Sequence, residues 1–141
     1  MGFQVKILKK PDALNDPFCI REEVFVKEQG FQNEFDEVDN VSWHVVAYNG
    51  DTPAACGRLF FKSDDTCIIG RVAVRRTFRG KRVGALIMNA LEELARNLGG
   101  KEIELSAQCR AVGFYERLGY RSKGDTYLDE FCPHIVMKKK L

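Results

Sequence analysis

The sequence predicts an α/β fold, a single domain (residues 1–141) in which a mixed β-sheet is flanked by helices. Three observations predict it. A compact apolar run, Cys67 to Val74, passes through a basic, glycine-containing turn into a long pattern of helical period that ends at Leu98. An alternating strand, Lys101 to Ser106, follows, and a strand–helix–strand crossover makes its two strands parallel. Upstream, Asn49-Gly50-Asp51 lies between two apolar runs as a hairpin turn, which supplies antiparallel neighbours.

The elements follow in order. Phe3 to Leu8 alternates weakly and reads as a first strand ended by Lys9-Lys10-Pro11. Asp16-Pro17 starts a helix, with Asp16 as N-cap and with Phe18, either Ile20 or the stem of Arg21, Val24 and Phe25 on its apolar face. Lys27 to Asn40 is polar and acidic, interrupted by Phe31, Phe35 and Val38; it reads either as a solvated loop with aromatic anchors or as a substrate-lining segment. Trp43 to Tyr48 and Ala54 to Lys62 form the hairpin, and Ser63-Asp64-Asp65 turns into the central strand. In the long helix, Val83, Ile87, Leu91, Leu94 and Leu98 share one face, with Asn89, Glu92, Glu93, Arg96 and Asn97 on the other. Gly99-Gly100 stops it. A short helix, Ala111 to Leu118, and two strands joined near Cys132-Pro133 complete the chain.

Composition excludes several classes. With 22 basic and 20 acidic residues, a net charge of +2 does not demand nucleic acid. No apolar run approaches membrane-spanning length, and the polar N-terminus has neither a signal-peptide core nor a myristoylation motif, Lys6 standing where Ser or Thr is needed. Five scattered cysteines and two histidines, with no CxxC, suggest neither a zinc site nor a disulfide framework and fit reduced thiols in the cytoplasm.

The basic turn carries the chemistry. Six cations and no acid occur from Arg71 to Arg82, and the turn opens a helix whose free amides and dipole favour an anion. Neither the Walker pattern nor GxGxxG is present. The stretch Arg79-Gly80-Lys81-Arg82-Val83-Gly84-Ala85 resembles the pyrophosphate turn of the GNAT superfamily of acyl-CoA N-acyltransferases. It departs from that pattern at Arg82, where the family usually has glycine. A second stretch, Gln108 to Tyr120, is similar to the family's last helix, matching at Ala111, Phe114, Tyr115, Glu116, Gly119 and Tyr120, with Gln108 in place of asparagine. REEVFVKEQG (Arg21 to Gly30), SAQ (Ser106 to Gln108) and CPHIVM (Cys132 to Met137) resemble the ElaA-like branch.

The resemblance implies direct transfer from acetyl-CoA, the co-substrate, to a primary amine of a small molecule or peptide, without a metal. Acetyl-CoA would lie where the central parallel strands splay apart, along Val72, Ala73 and Val74, with its pyrophosphate on the amides of Arg79 to Ala85 and with Gln108 and Tyr115 beside it. Tyr115 would protonate the departing thiolate as general acid, and a backbone N–H near Val74 would polarise the carbonyl. Candidates for the base are His134, His44, Glu28 and Glu104, with His134 in the branch-like stretch leading. A Cys109 nucleophile paired with His134 is a further candidate. Two readings compete with catalysis: a CoA-binding sensor, and a module gripping nucleic-acid phosphates through the basic turn. The sequence is compatible with a homodimer and leaves the acceptor open.

Overall fold

The computed structural model describes residues 2–141. One seven-stranded sheet runs in the order β1-β2-β3-β4-β5-β7-β6. Its strands are β1 (Gln4–Leu8), β2 (Trp43–Asn49), β3 (Thr52–Phe61), β4 (Thr66–Val74), β5 (Glu102–Gln108), β6 (Arg121–Asp129) and β7 (Cys132–Lys140). Helix α1 (Asn15–Arg21) precedes β2, α2 (Val83–Asn97) joins β4 to β5, and α3 (Val112–Arg117) follows β5. β4 and β5 pair in parallel, as the crossover predicts, and the other pairs are antiparallel. The last hairpin turns at Glu130-Phe131 rather than near Cys132-Pro133, which instead opens β7.

Both faces of the sheet are covered, so β2 reads as a nearly continuous apolar run. Val45 and Ala47 face the α2 side, packing with Ile87, Leu91 and Ile103. Val46 and Tyr48 face the α1 side, packing with Ile20, Val24 and Phe31. Helix α2 sits close to the sheet because Gly57 leaves room: a Cβ there would lie 2.7 Å from Leu91 Cδ1. On α2, Glu92 is buried and not on the solvent face the period assigned it. It accepts hydrogen bonds from Tyr120 Oη (2.8 Å) and Lys139 Nζ (2.9 Å), contacts supplied by elements remote in sequence.

The start of α1 also differs from expectation. Asp16 lies inside the helix and does not cap it; its carboxylate accepts a 2.6 Å hydrogen bond from Tyr48 Oη, so a tertiary contact takes the oxygen that a cap would use. Beyond Arg21 the chain continues as a π-helical stretch, Glu22–Glu28. There the Gln29 N–H reaches back to Val24 O at 3.1 Å, before Gly30, at φ +87°, turns the chain.

Two irregularities shape the middle of the sheet. Between Cys56 and Arg58 the β3–β4 register shifts, so Arg71 and Val72 together oppose Gly57 as a β-bulge, with Arg71 at φ +53°. β4–β5 pairing ends at Ile69–Leu105, while β5 stays paired to β7 as far as Gln108–His134. Past Ile69 and Leu105 the two parallel strands part and open a cleft.

Candidate functional site

The cleft holds a cavity of about 450 Å³ lined by β4, β5, the π-helical stretch, the segment after it and the β6–β7 turn. Of the residues singled out in the sequence, Val72, Ala73, Val74, Arg79, Gln108, Tyr115 and His134 line it. A second cavity, of about 550 Å³, adjoins it through the shared residues Val74 and Arg79. It is lined by Gly80, Arg82, Val83, Gly84 and Ala85 of the basic turn. Lys81 lines neither but stands exposed in the same turn.

The turn has the features an anion requires. Gly80 sits at φ +78° with open space where a Cβ would be. The first bond into α2 runs from the Leu86 N–H to Arg82 O at 3.2 Å, so the amides of Val83, Gly84 and Ala85 belong to the unpaired first turn. Arg82 itself is left-handed, at φ +62°. That conformation is the one a glycine would take there, so the departure from the family pattern changes the side chain and leaves the path of the backbone. A pyrophosphate fits these amides and the neighbouring charge of Lys81 and Arg82.

Arg79 is not free to meet an anion directly. Its Nη1 and Nη2 bind Glu28 at 2.7 and 2.8 Å, and its Nε donates to Val74 O at 2.9 Å. This fork pins the end of the π-helical stretch to β4 at the junction of the two cavities. The hydrogen bonds from Arg79 hold the Glu28 carboxyl below its ordinary pKa, which is poor tuning for a base. His44, another candidate, is buried away from the cavity with Nε2 3.0 Å from Asp39 O, and burial lowers its pKa. Glu104 pairs with Lys62 and Lys138 outside both cavities.

Two candidates do face the cavity with a free polar atom. Tyr115 is half-buried, packs edge-on against Phe114 and Tyr120, and has no hydrogen-bond partner among the described residues; desolvation pushes its phenol up to about 12, so it keeps its proton at neutral pH. His134 Nδ1 lies 2.9 Å from Cys132 O. The carbonyl can only accept, so Nδ1 is the donor, and in the neutral ring Nε2 is the acceptor. The imidazole stacks on Tyr127 and meets the edge of Phe31. Gln108 Nε2 donates to Gln29 Oε1, tying the end of β5 to the π-helical stretch. Cys109 and Cys132 are free thiols that border a neighbouring depression with Pro133.

The acidic segment after the π-helical stretch is not the solvated loop that was one of its two readings. Arg21 Nη1 binds Asp39 (2.7 Å) and its Nε binds Glu34 (3.0 Å); Arg58 Nη1 binds Asp36 (2.8 Å) and Asp39 (2.9 Å); Arg71 binds Glu34 and Asp36 (3.0 and 3.2 Å). Three arginines thus meet three carboxylates in a largely buried network beside the cavity. Burial opposes ionisation of Asp39, but the hydrogen bonds and charges of Arg21 and Arg58 outweigh it and hold its pKa below the ordinary value. Glu130 at the β6–β7 turn accepts from the amides of Gln32 and Asn33 (2.9 and 3.1 Å) and closes the cavity from the far side. The sequence named Glu34, Asp36 and Asp39 in a stretch with a substrate-lining reading, but it missed the arginines that they meet, and Glu130. The one available signal was the coincidence of acids with phenylalanines in that stretch, which does not say which arginines they meet.

Comparison with known proteins places this geometry. The model of the acetyltransferase (GNAT) family matches residues 12–120. An uncharacterized N-acetyltransferase of Bacillus subtilis, YjcF, is 41% identical over 136 residues, covering 94% of this chain and 96% of that protein. The crystal structure of Escherichia coli ElaA superposes with a TM-score of 0.87 at 26% identity, covering 97% of this chain and 99% of the other. The same fold, with a TM-score of 0.78 at 13% identity and 99% coverage of both chains, occurs in a GNAT family acetyltransferase from Elizabethkingia anophelis crystallised with acetyl-CoA bound.

Proposed function

Since the chain belongs to the acetyltransferase (GNAT) family, we propose that it transfers an acetyl group from acetyl-CoA directly to a primary amine, with Tyr115 as general acid and His134 as base. One observation carries the reading. The parted β4 and β5 and the amide-rich turn form adjoining cavities, so a single extended ligand can place phosphates on Gly80 to Ala85 and a thioester beside Tyr115. The fold neighbour that holds acetyl-CoA supports the choice of co-substrate.

Each residue then has a defined task. The backbone of Val72 and Val74 pairs with the amide-bearing arm of the ligand, and a backbone N–H near Val74 stabilises the charge that develops on the carbonyl oxygen. His134 Nε2 removes the proton that the acceptor ammonium must lose before its nitrogen can attack. The C–N bond forms and the C–S bond breaks, Tyr115 Oη gives its proton to the departing sulfur, and the phenolate so formed takes up the second proton that the attacking nitrogen loses in becoming an amide. Proximity supplies the rest, because both substrates are held in one cleft.

The nucleic-acid reading loses its main support. Arg71, Arg75, Arg76 and Arg79 are paired with Glu34, Glu23 and Glu28, which leaves Lys81 and Arg82 as the turn's cations without ion pairs among the described residues. The test is CoA release with a panel of primary amines, on the parent and on Tyr115→Phe. Phenylalanine keeps the ring against Phe114 and Tyr120 and removes only the hydroxyl. Turnover should fall by ~10²–10⁴-fold with CoA affinity unchanged. CoA binding without release to any amine would favour the sensor reading, and turnover within about twofold of the parent would remove Tyr115 from the chemistry.

A further inference from the structure

Glu34 lines the same cavity as Tyr115 and His134, yet no motif singles it out. Its side chain is 5% exposed, and its two oxygens differ. Oε2 is held twice, by Arg21 Nε at 3.0 Å and by Arg71 Nε at 3.0 Å. Oε1 accepts no hydrogen bond among the described residues. Among the described residues, the one buried side-chain N or O that is sealed off without a partner is Arg58 Nε, so Glu34 Oε1 keeps an opening to the cavity. Phe25, Phe31 and Phe60 wall the cavity around it.

We infer that Glu34 Oε1 anchors the ammonium of the acceptor, and that the acceptor is a primary amine with an apolar or aromatic body and no carboxylate beside the amine. The inference rests on the acetyl-transfer reading of this cavity and names the acceptor class. The charges around Glu34 argue for it. Arg21, Arg58 and Arg71 are matched by Glu34, Asp36 and Asp39, so none is left to receive a substrate carboxylate. Arg79 is taken by Glu28. Arg110, the remaining lining cation, forms no ion pair among the described residues; it is exposed just past the end of β5, where its Nε donates to Gln108 Oε1. The other charged lining residues are acids, Asp129 and Glu130. Burial also raises the Glu34 pKa despite the nearby arginines, so a cation placed at Oε1 would stabilise its ionised form. The aromatic walls add area for an apolar body and ring faces for a cation.

The experiment uses two probes that differ only in the disputed group: phenethylamine and phenylalanine. Each is titrated by calorimetry into the full-length protein saturated with CoA, for the parent and for Glu34→Gln. Glutamine retains an oxygen for Arg21 and Arg71 but cannot hold an ammonium by charge. Phenethylamine should bind the parent at least about tenfold more tightly than phenylalanine, the factor one charge-assisted hydrogen bond carries. It should weaken by a similar factor in Glu34→Gln while CoA affinity is unchanged. Phenylalanine binding as well as phenethylamine, no binding of phenethylamine, or an affinity within about twofold in the variant would each overturn the inference. The comparison of probes on the parent protein holds even if the variant does not fold. Because the readout is binding, a failure of acetyl transfer registers separately, as absent CoA release with amine binding intact.

Discussion

Replacing Arg82 with glycine separates two effects of opposite sign at the head of α2. Arg82 holds φ +62° and ψ 19°, and its side chain makes no capping hydrogen bond. A residue with a Cβ loses roughly 1–2 kcal/mol in that left-handed conformation. Glycine removes the strain but widens the unfolded ensemble, which offsets about 0.5–1 kcal/mol of the gain. The variant should therefore be more stable by about 0.5–1 kcal/mol, a rise in Tm of roughly 2–4 °C for a domain of this size. CoA binding should move the other way. One positive charge leaves the exposed turn proposed to hold the phosphates, and a contact of that kind contributes ~0.2–1 kcal/mol, up to about fivefold in affinity. The affinity difference should shrink as salt is added. Scanning calorimetry without ligand and titration with CoA at two salt concentrations measure both. A variant that melts below the parent would refute the reasoning, because it would mean that the arginine side chain stabilises the turn more than its backbone strains it.

Three further outcomes follow from the packing. Arg21→Leu takes away one of the two arginines that Glu34 and Asp39 each meet and leaves the buried carboxylates in excess, and should destabilise the fold by ~3–5 kcal/mol in urea denaturation; a loss under about 1 kcal/mol would mean that the network is solvated. The Asp36 and Asp39 carboxyls are held below their ordinary value of 3.8, so their contribution is present above that pH and lost as pH falls through their folded pKa values. Thermal melts should accordingly stay level from neutral pH to about pH 4 and fall steeply below 3.8, whereas a decline beginning near pH 6 would point to another group. Gly57→Ala places a Cβ 2.7 Å from Leu91 Cδ1 and 3.0 Å from Ile87 Cγ2, which should cost about 1–3 kcal/mol and be visible as a lowered urea midpoint.

What the sequence makes legible here is local. The strand, the glycine-bearing basic turn and the amphipathic helix from Cys67 to Leu98 announce themselves because each signal is written within one turn or one face, and the parallel crossover follows from chain length alone. The matched stretches at Arg79 to Ala85 and Gln108 to Tyr120 are legible for the same reason. What escapes is charge that is buried by distant partners. Arg21 meets Asp39 18 positions away, and Arg75 meets Glu23 52 positions away. Nothing in the composition of the acidic segment says that its carboxylates turn inward. The π-helical continuation of α1 escapes because Val24 and Phe25 are apolar in either helix type, and only the hydrogen-bond partner of Gln29 distinguishes them. The Asp16 cap failed for a related reason: Tyr48, far along the chain, took the oxygen.

The bulge at Arg71 has a bearing on how this domain tolerates change in length. Before it, Cys67 and Ile69 face the α2 side; after it, Val72 and Val74 pack on that side and Ala73 turns to the other. One extra residue has exchanged odd for even. Deleting position 71 would therefore leave Val72 alone opposite Gly57 and restore a regular ladder, with Val72 and Val74 still on the α2 side. The deletion would cost the local bend beside the parted strands and the arginine that meets Glu34 and Asp36, whereas a further inserted residue would turn Val72 and Val74 toward α1 and thrust Ala73 into the α2 core. Insertions or deletions among relatives of this fold should accordingly gather in the β-turns and the acidic segment, and spare the five residues from Gly70 to Val74.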